Sequence, residues 1–455
     1  MYRHTSLFPL ALLVLLAGCG EGGGSAPEPN QSVGGSSSVA GGAGVSGNLG
    51  VAGNVSPGGD AGVGGSVSST GGSGGSASQP SFDPSDLQLN DVSILFPVST
   101  TFNERAGGLL DLSTKGPRGE LLPSALYTSV GPISGSSGRD AAYADLRVVA
   151  ARIDPCFASL APPADGAGCQ NQLRLVVQEV VNGVVHDSAM HLFYGISRDE
   201  VIELARSTAA LRQSLKPKQR LGRLQPHPIM VEQGPSGSMA AGVNAAIVAH
   251  AGAANLTRIT TMSSDGAGNP QWKFAGFEIK DGATRALDVF DLPPGTKEQT
   301  VHETPGKKSM NPPSGSPDSF LALLNPDTAQ ALSPADQIAL LGALLRVENP
   351  DLHSPENIDC VTCHLATPAL KLVVEPVLKL SSDGIAGAFQ VDPSSVPADE
   401  LQVTFGTDND LNVHAFSYLV DFKNHNVPGI NQRTVNETAA VVSYLSRNVF
   451  GANAR

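Results

Sequence analysis

The residues best suited to chemistry stand together late in the chain, at Cys360-Val361-Thr362-Cys363-His364. Two thiols separated by two residues, followed at once by an imidazole, put two soft sulfurs and one nitrogen ligand at a single point of the backbone. Three uses of such a group are open. The thiols can close a tight disulfide. They can join His364 and His353 around zinc, although a zinc site normally brings a second ligand pair with its own spacing. Or they can reach the two vinyl groups on one edge of a haem while the imidazole falls against the iron.

The third arrangement resembles the attachment motif of c-type cytochromes. The resemblance implies a covalent haem c on Cys360 and Cys363, His364 as proximal axial ligand of the iron, and a cytochrome c-like domain that is mainly helical. Ser333-Pro334 starts a helix with its cap and first residue in favoured places, and Ile338, Leu341 and Leu345 mark its buried face. Thr434 and Glu437 are spaced as a capping box ahead of Ala439, Val441, Val442, Tyr444 and Leu445. A helix before the motif and a closing helix after it are what the family would show. Two departures stand beside them: Leu365 replaces the common glycine after the histidine, and no methionine follows Met310. Leu370 to Val374 and Leu401 to Phe405 read as strands, which a compact helical cytochrome lacks. The likeness covers the motif and two helices. The distal iron ligand then has to be something other than a downstream methionine. His425 lies where the family places it, before the closing helix and beside Val427-Pro428-Gly429; two histidines would give a lower potential than His/Met. His414, His353 and Met310 are the other donors, and an open distal position is the remaining alternative. Leu365, Leu370, Phe405, Phe416, Tyr418, Leu419 and Phe422 are the nearest apolar supply for a pocket, and would serve equally as an ordinary core.

The other end of the chain carries an address. Arg3 precedes an apolar run, Leu7 to Ala17, too short to remain as a membrane span, so residues 1–18 read as a signal peptide. Leu16-Ala17-Gly18-Cys19 resembles the lipobox of bacterial lipoproteins, which implies lipid on Cys19 and anchoring to a membrane. By the same analogy Gly20, lacking an acidic side chain, points to the outer membrane, with the folded part facing the periplasm or the cell surface. Covalent haem attachment belongs outside the bacterial cytoplasm, so the two motifs agree. Residues 19–80 are mostly Gly, Ser, Ala and Val with almost no charge; such a segment cannot offset its backbone entropy and reads as a tether of roughly 40–45 Å typical span.

The fold class expected is α+β: the flexible tether, a strand-rich mixed domain over 81–315, then the cytochrome c-like haem domain over 316–455. Tyr143 to Ile153 and Gln172 to Val181 read as strands, and Asn182-Gly183 turns the chain into a return strand reaching His191-Leu192-Phe193-Tyr194. Ser197 and Glu200 open a helix with Val201, Leu204, Ala205, Thr208, Leu211 and Leu215 at helical spacing. Trp272 to Lys280, Asp281-Gly282 and Thr284 to Phe290 suggest a second hairpin. Cys156 and Cys169, in a proline-rich loop of an exported chain, are expected to form a disulfide, worth ~3 kcal/mol in the chain-entropy model.

Several function classes are set aside by composition. A net charge of −13 without a basic cluster opposes nucleic acid as a partner, and a single tryptophan, Trp272, argues against a carbohydrate-stacking surface. No HExxH or phosphate-binding P-loop occurs, and the glycine-rich matches fall in the tether. Asp408, Asp410 and Asn412 alternate like the start of a calcium loop but lack its turn glycine and closing glutamate, so they read as a solvated turn. The function expected is that of a membrane-anchored lipoprotein exchanging electrons with a redox partner protein, more an electron carrier than a catalyst. The alternative is a non-catalytic binding or envelope-structural lipoprotein whose CxxC is a disulfide.

Overall fold

Two tight turns organise the centre of the molecule. Asn182 and Gly183 adopt φ of 51° and 78°, and Asp281 and Gly282 φ of 52° and 75°, the left-handed pair that a two-residue hairpin requires. Both lie where the dipeptides place them, and they pair Val181 with Val184 and Lys280 with Ala283. The computed structural model describes residues 82–451 except 103–107, 136–138, 156–169, 265–270, 305–306, 311–318, 355–356, 404–411 and 421–424. The signal peptide, Cys19, the tether and the Cys156/Cys169 pair therefore lie outside the described residues, as do Phe405, Asp408, Asp410 and Phe422.

Among the described residues nine strands form one antiparallel sheet. They are β1 (Ser93–Leu95), β2 (Leu146–Asp154), β3 (Gln172–Val181), β4 (Val184–Gly195), β5 (Leu256–Ser264), β6 (Gln271–Lys280), β7 (Ala283–Ala286), β8 (Glu298–Thr304) and β9 (Lys307–Met310). The order across the sheet is β1-β2-β3-β4-β5-β6-β8-β9, with the short β7 paired to β6. Tyr143 precedes β2 in a 3-10 turn rather than in the strand, and β7 stops short of Phe290. A separate hairpin, β10 (Phe416–Val420) and β11 (Asn426–Ile430), runs from the pair Phe416/Ile430 to the pair Val420/Asn426.

Cross-strand partners share a face of a sheet, and so do residues two apart along a strand. The register therefore lays out one face in three adjacent rows. Arg152, Arg174, Phe193, Arg258 and Glu278 form the first; Ala150, Val176, His191, Thr260 and Gly276 the second; Gln178, Ala189, Met262, Phe274 and Gln299 the third. The opposite face carries Ile153, Leu173, Leu175, Leu192, Tyr194 and Ile259, all buried.

Among the described residues five α-helices have ten residues or more. In α1 (Arg198–Leu215) the expected capping box forms, Glu200 N–H donating to Ser197 Oγ at 3.2 Å and Ser197 N–H to Glu200 Oε2 at 2.8 Å. α2 (Ser238–His250) packs against α1. α3 (Pro334–Val347) starts as read, capped by Ser333. The motif opens α4 (Cys360–Ala369), which continues as a π-wound segment over Leu370–Leu378. Leu370 to Val374 is thus helical, correcting the expected strand: its apolar residues extend the buried stripe of α4, with Val361, Leu365, Ala366, Ala369, Leu370, Val373 and Val374 all in the core. The stretch Cys360–Leu378 has the length and composition of a membrane span, but that apolar surface is used within the fold. Leu401 closes a short 3-10 turn. The last helix, α5 (Gln432–Tyr444), also differs from expectation. Its cap is Asn431, which accepts from Thr434 N–H at 2.8 Å, so Thr434 sits inside the helix and Glu437 is released from any capping role.

The expected boundary near residue 315 does not divide the core. Residues 75–455 form one compact unit. Ser93 Oγ lies 2.7 Å from Thr438 Oγ1, Tyr418 Oη donates to Phe96 O at 2.6 Å, and Tyr418 exchanges two bonds with the Gln178 amide at 2.8 and 2.9 Å. The mixed α+β class is as expected. The later part of the chain, however, is built onto the sheet rather than beside it.

Candidate functional site

The motif stands at a helix start fixed from two sides. Asp359 is the N-cap of α4, its Oδ1 accepting from Thr362 N–H at 2.9 Å. The same oxygen accepts from Gln299 Nε2 at 2.7 Å, while Gln299 Oε1 accepts from Val361 N–H at 2.9 Å. One amide on β8 thus grips the cap and the first turn of the helix together, and all four groups are satisfied.

Cys360 and Cys363 follow one helical turn apart, partly buried, each a free thiol. Burial pushes both up to about 12, so they are held neutral. His364 lies against Phe274, ring centroids 4.9 Å apart. Its Nδ1 is 2.6 Å from Val413 O. A carbonyl can only accept, so Nδ1 carries the proton and Nε2 keeps the lone pair. Burial outweighs that hydrogen bond and lowers the His364 pKa, which favours the neutral ring. A metal-ligating histidine is ordinarily tied in this way through its other nitrogen.

Next to this pair stands a second histidine. Trp272, two residues before Phe274 and on the same face of β6, meets His414 edge to face at 5.7 Å. The His414 ring is 1 % exposed, and its Nδ1 lies 2.6 Å from Ser417 Oγ. Its Nε2, Trp272 Nε1 and Thr362 Oγ1 are buried without a hydrogen-bond partner among the described residues. Burial first, and the neighbouring His364 second, push His414 down to about 3. His191, in the middle row of the sheet face, is also held neutral, by burial and then by Arg174 and His364.

His425 is not brought to the motif. It is exposed and precedes Asn426, which is tied to the far side by bonds to Val98 O (3.2 Å), Gly183 O (2.7 Å) and Val185 N–H (2.9 Å). Val413 and His414 adjoin the Phe416/Ile430 end of the hairpin, whereas His425 adjoins the Val420/Asn426 end. Those ends are about 13 Å apart, four steps of ~3.3 Å. His353 lies in the loop before the motif, where its carbonyl accepts from Arg433 Nη2. Met310 ends β9 at the sheet edge. Among the described residues no group of three or more His, Cys, Asp or Glu side chains is placed to hold a metal ion, so Cys360, Cys363, His364 and His353 do not converge as zinc would need. Of the apolar residues named for a pocket, Leu365, Leu370, Phe416 and Tyr418 are in the general core.

No protein-family model, curated protein or solved structure matches the chain.

The region also holds a charged network that sequence reasoning missed. Arg433 donates to Val347 O at 2.8 Å, to Asn349 O at 3.1 Å and to Glu437 Oε1 at 2.7 Å. Glu437 Oε2 accepts from Arg152 Nη2 at 2.7 Å, and Arg152, 3 % exposed, also pairs with Asp154 at 3.1 Å. Burial opposes the Glu437 charge, but Arg433, Arg152 and Arg174 hold its carboxyl well below the usual range. Behind the motif helix, Glu348 accepts from Thr367 Oγ1 at 2.7 Å; Thr367 is one turn beyond Cys363 on the same face. Burial pushes Glu348 up to about 7. The charged residues Arg152 and Arg174 inside the strand patterns are the sequence signal of this network.

Proposed function

We propose that the chain is an envelope lipoprotein, anchored through lipid on Cys19 to the outer membrane, that carries one c-type haem on Cys360 and Cys363 and exchanges electrons with a redox partner protein. The observation that carries this reading is the bond from His364 Nδ1 to Val413 O, which leaves Nε2 as the donor atom. The donor set fits the group: two free neutral thiols at the attachment spacing, a neutral imidazole directly after them, and orphaned buried polar atoms on Trp272 and His414 alongside. When bound, the haem supplies a one-electron couple. The protein's part is to hold and insulate. Gln299 and Asp359 fix the start of α4, Val413 fixes the ring of His364, and the aromatic residues on β6 exclude water from its side. A tether of roughly 40–45 Å gives the folded part room to meet a partner near the membrane surface. This reading makes the chain a carrier rather than a catalyst.

The test is to produce the full chain in a host that matures a control cytochrome c, denature it, and stain for haem. Stain retained by the wild type and lost in the Cys360→Ala/Cys363→Ala variant is the expected result. A denatured wild-type chain without stain, alongside a stained control, would sink the reading and leave a non-catalytic binding or structural lipoprotein.

A further inference from the structure

We infer that His414, and not His425, is the second imidazole that would hold the haem iron together with His364. The inference rests on the haem reading and adds to it the residue that completes the coordination. Four observations point to it. His414 and His364 lie on successive same-face aromatic residues of one strand, Trp272 and Phe274, so the two rings occupy neighbouring rungs of the sheet. The two rings are engaged in the same manner: each has Nδ1 2.6 Å from an oxygen, Val413 O for His364 and Ser417 Oγ for His414. The Ser417 hydroxyl can accept as well as donate, and when it accepts from Nδ1–H the lone pair of His414 sits on Nε2, the tautomer that a ligand needs. That Nε2 is buried without a hydrogen-bond partner among the described residues. An imidazole nitrogen stripped of water and given no partner is costly unless a ligand satisfies it.

The backbone around His414 leaves little freedom. Its N–H donates to Asn412 Oδ1 at 3.0 Å, and Gly429 on β11 packs so closely that an added Cβ would come within 2.5 Å of His414 Cβ. The side chain is therefore set by the base of the hairpin, as a ligand held in advance would be. His425 is exposed and adjoins the opposite end of the same hairpin.

The experiment uses the full chain matured with haem, with covalent haem content measured first on the denatured protein. Wild-type ferric protein should be low-spin and six-coordinate by absorption and electron paramagnetic resonance, with two imidazole ligands, and the ferrous form should bind carbon monoxide poorly. His414→Ala should turn the ferric haem high-spin and make the ferrous form bind carbon monoxide, and added imidazole should restore the low-spin spectrum. His414→Met should stay six-coordinate with a raised reduction potential. His425→Ala should match wild type in every measurement. A His414→Ala protein that holds haem and remains low-spin overturns the inference, as does a wild type that is already high-spin, or a change confined to His425→Ala or His191→Ala. Absence of covalent haem from the wild type is a separate result, which removes the haem reading itself.

Discussion

Replacing Glu348 with glutamine should stabilise the protein in neutral solution far more than in acid. Glu348 is 1 % exposed, has one hydrogen bond to its carboxyl, from Thr367 Oγ1, and leaves Oε2 without a partner among the described residues. Burial lifts its pKa from an ordinary 4.5 to about 7, against the pull of Thr367 and Arg433. A raised folded pKa means that the fold prefers the protonated carboxyl. Stability is therefore undiminished below pH 4.5, declines as pH rises from 4.5 towards 7, and carries the full cost above 7. A shift of this size corresponds to about 3 kcal/mol. Glutamine keeps an acceptor for Thr367 but never ionises, although its amide N–H groups meet no acceptor where Oε2 stood. That last cost is the same at every pH. The diagnostic is thus the change in ΔΔG between pH 4 and pH 8, on the order of 3 kcal/mol in favour of Glu348→Gln at the higher value. Denaturant titrations of both proteins at the two pH values, followed by far-ultraviolet circular dichroism, measure it, and the other titrating groups cancel in each comparison. Equal ΔΔG at pH 4 and pH 8 would refute the assignment of a buried, near-neutral carboxyl behind the motif helix.

Two further predictions concern cysteines at 19, 156 and 169. Cys19→Ala should abolish membrane retention and leave the folded part intact; detergent partitioning reads this, and a variant that still enters the detergent phase places the anchor elsewhere. Cys156 and Cys169 should be oxidised to each other in exported protein. Non-reducing peptide mapping should recover them as a linked pair, and free thiols at both, or a link to Cys360 or Cys363, would contradict it.

What could be read in advance was what depends on neighbours in sequence. Asn182-Gly183 and Asp281-Gly282 set their hairpins because positive φ at two successive positions is a local demand, and Ser197 with Glu200 closes its box within one turn. Local patterns failed where the long-range core decided. Leu370 to Val374 is apolar and β-branched enough for a strand, but the preceding helix already presents a buried stripe that these residues prolong. Thr434 and Glu437 have the spacing of a cap, yet Asn431 lies one turn earlier, and Glu437 is drawn to Arg152 and Arg433. In the site, the motif was legible because its chemistry is contiguous. The ring partners Phe274 and Trp272, the Gln299 grip and the place of His414 were not, since the first three come from strands 60 or more residues before the motif and His414 from the segment leading into the hairpin, and only the tertiary fold joins them. His425 was favoured for its position before the last helix. The pairing of β10 with β11 places it at the Val420/Asn426 end, away from Val413.

The arrangement around Gln299 has a consequence for how the protein is made. All nine strands of the sheet precede the motif in the chain, whereas the hairpin, Val413 and the helix bearing Glu437 follow it. A chain that emerges N-terminus first can assemble the sheet and offer Gln299 and Phe274 before Cys360 arrives. Val413, which fixes His364, comes 49 residues after it. Between those two events the thiols and the imidazole have been made, while Val413, which holds the ring, has not. Anything joined covalently to Cys360 and Cys363 has that interval in which to be joined. A truncation ending before Val413 would hold the interval open.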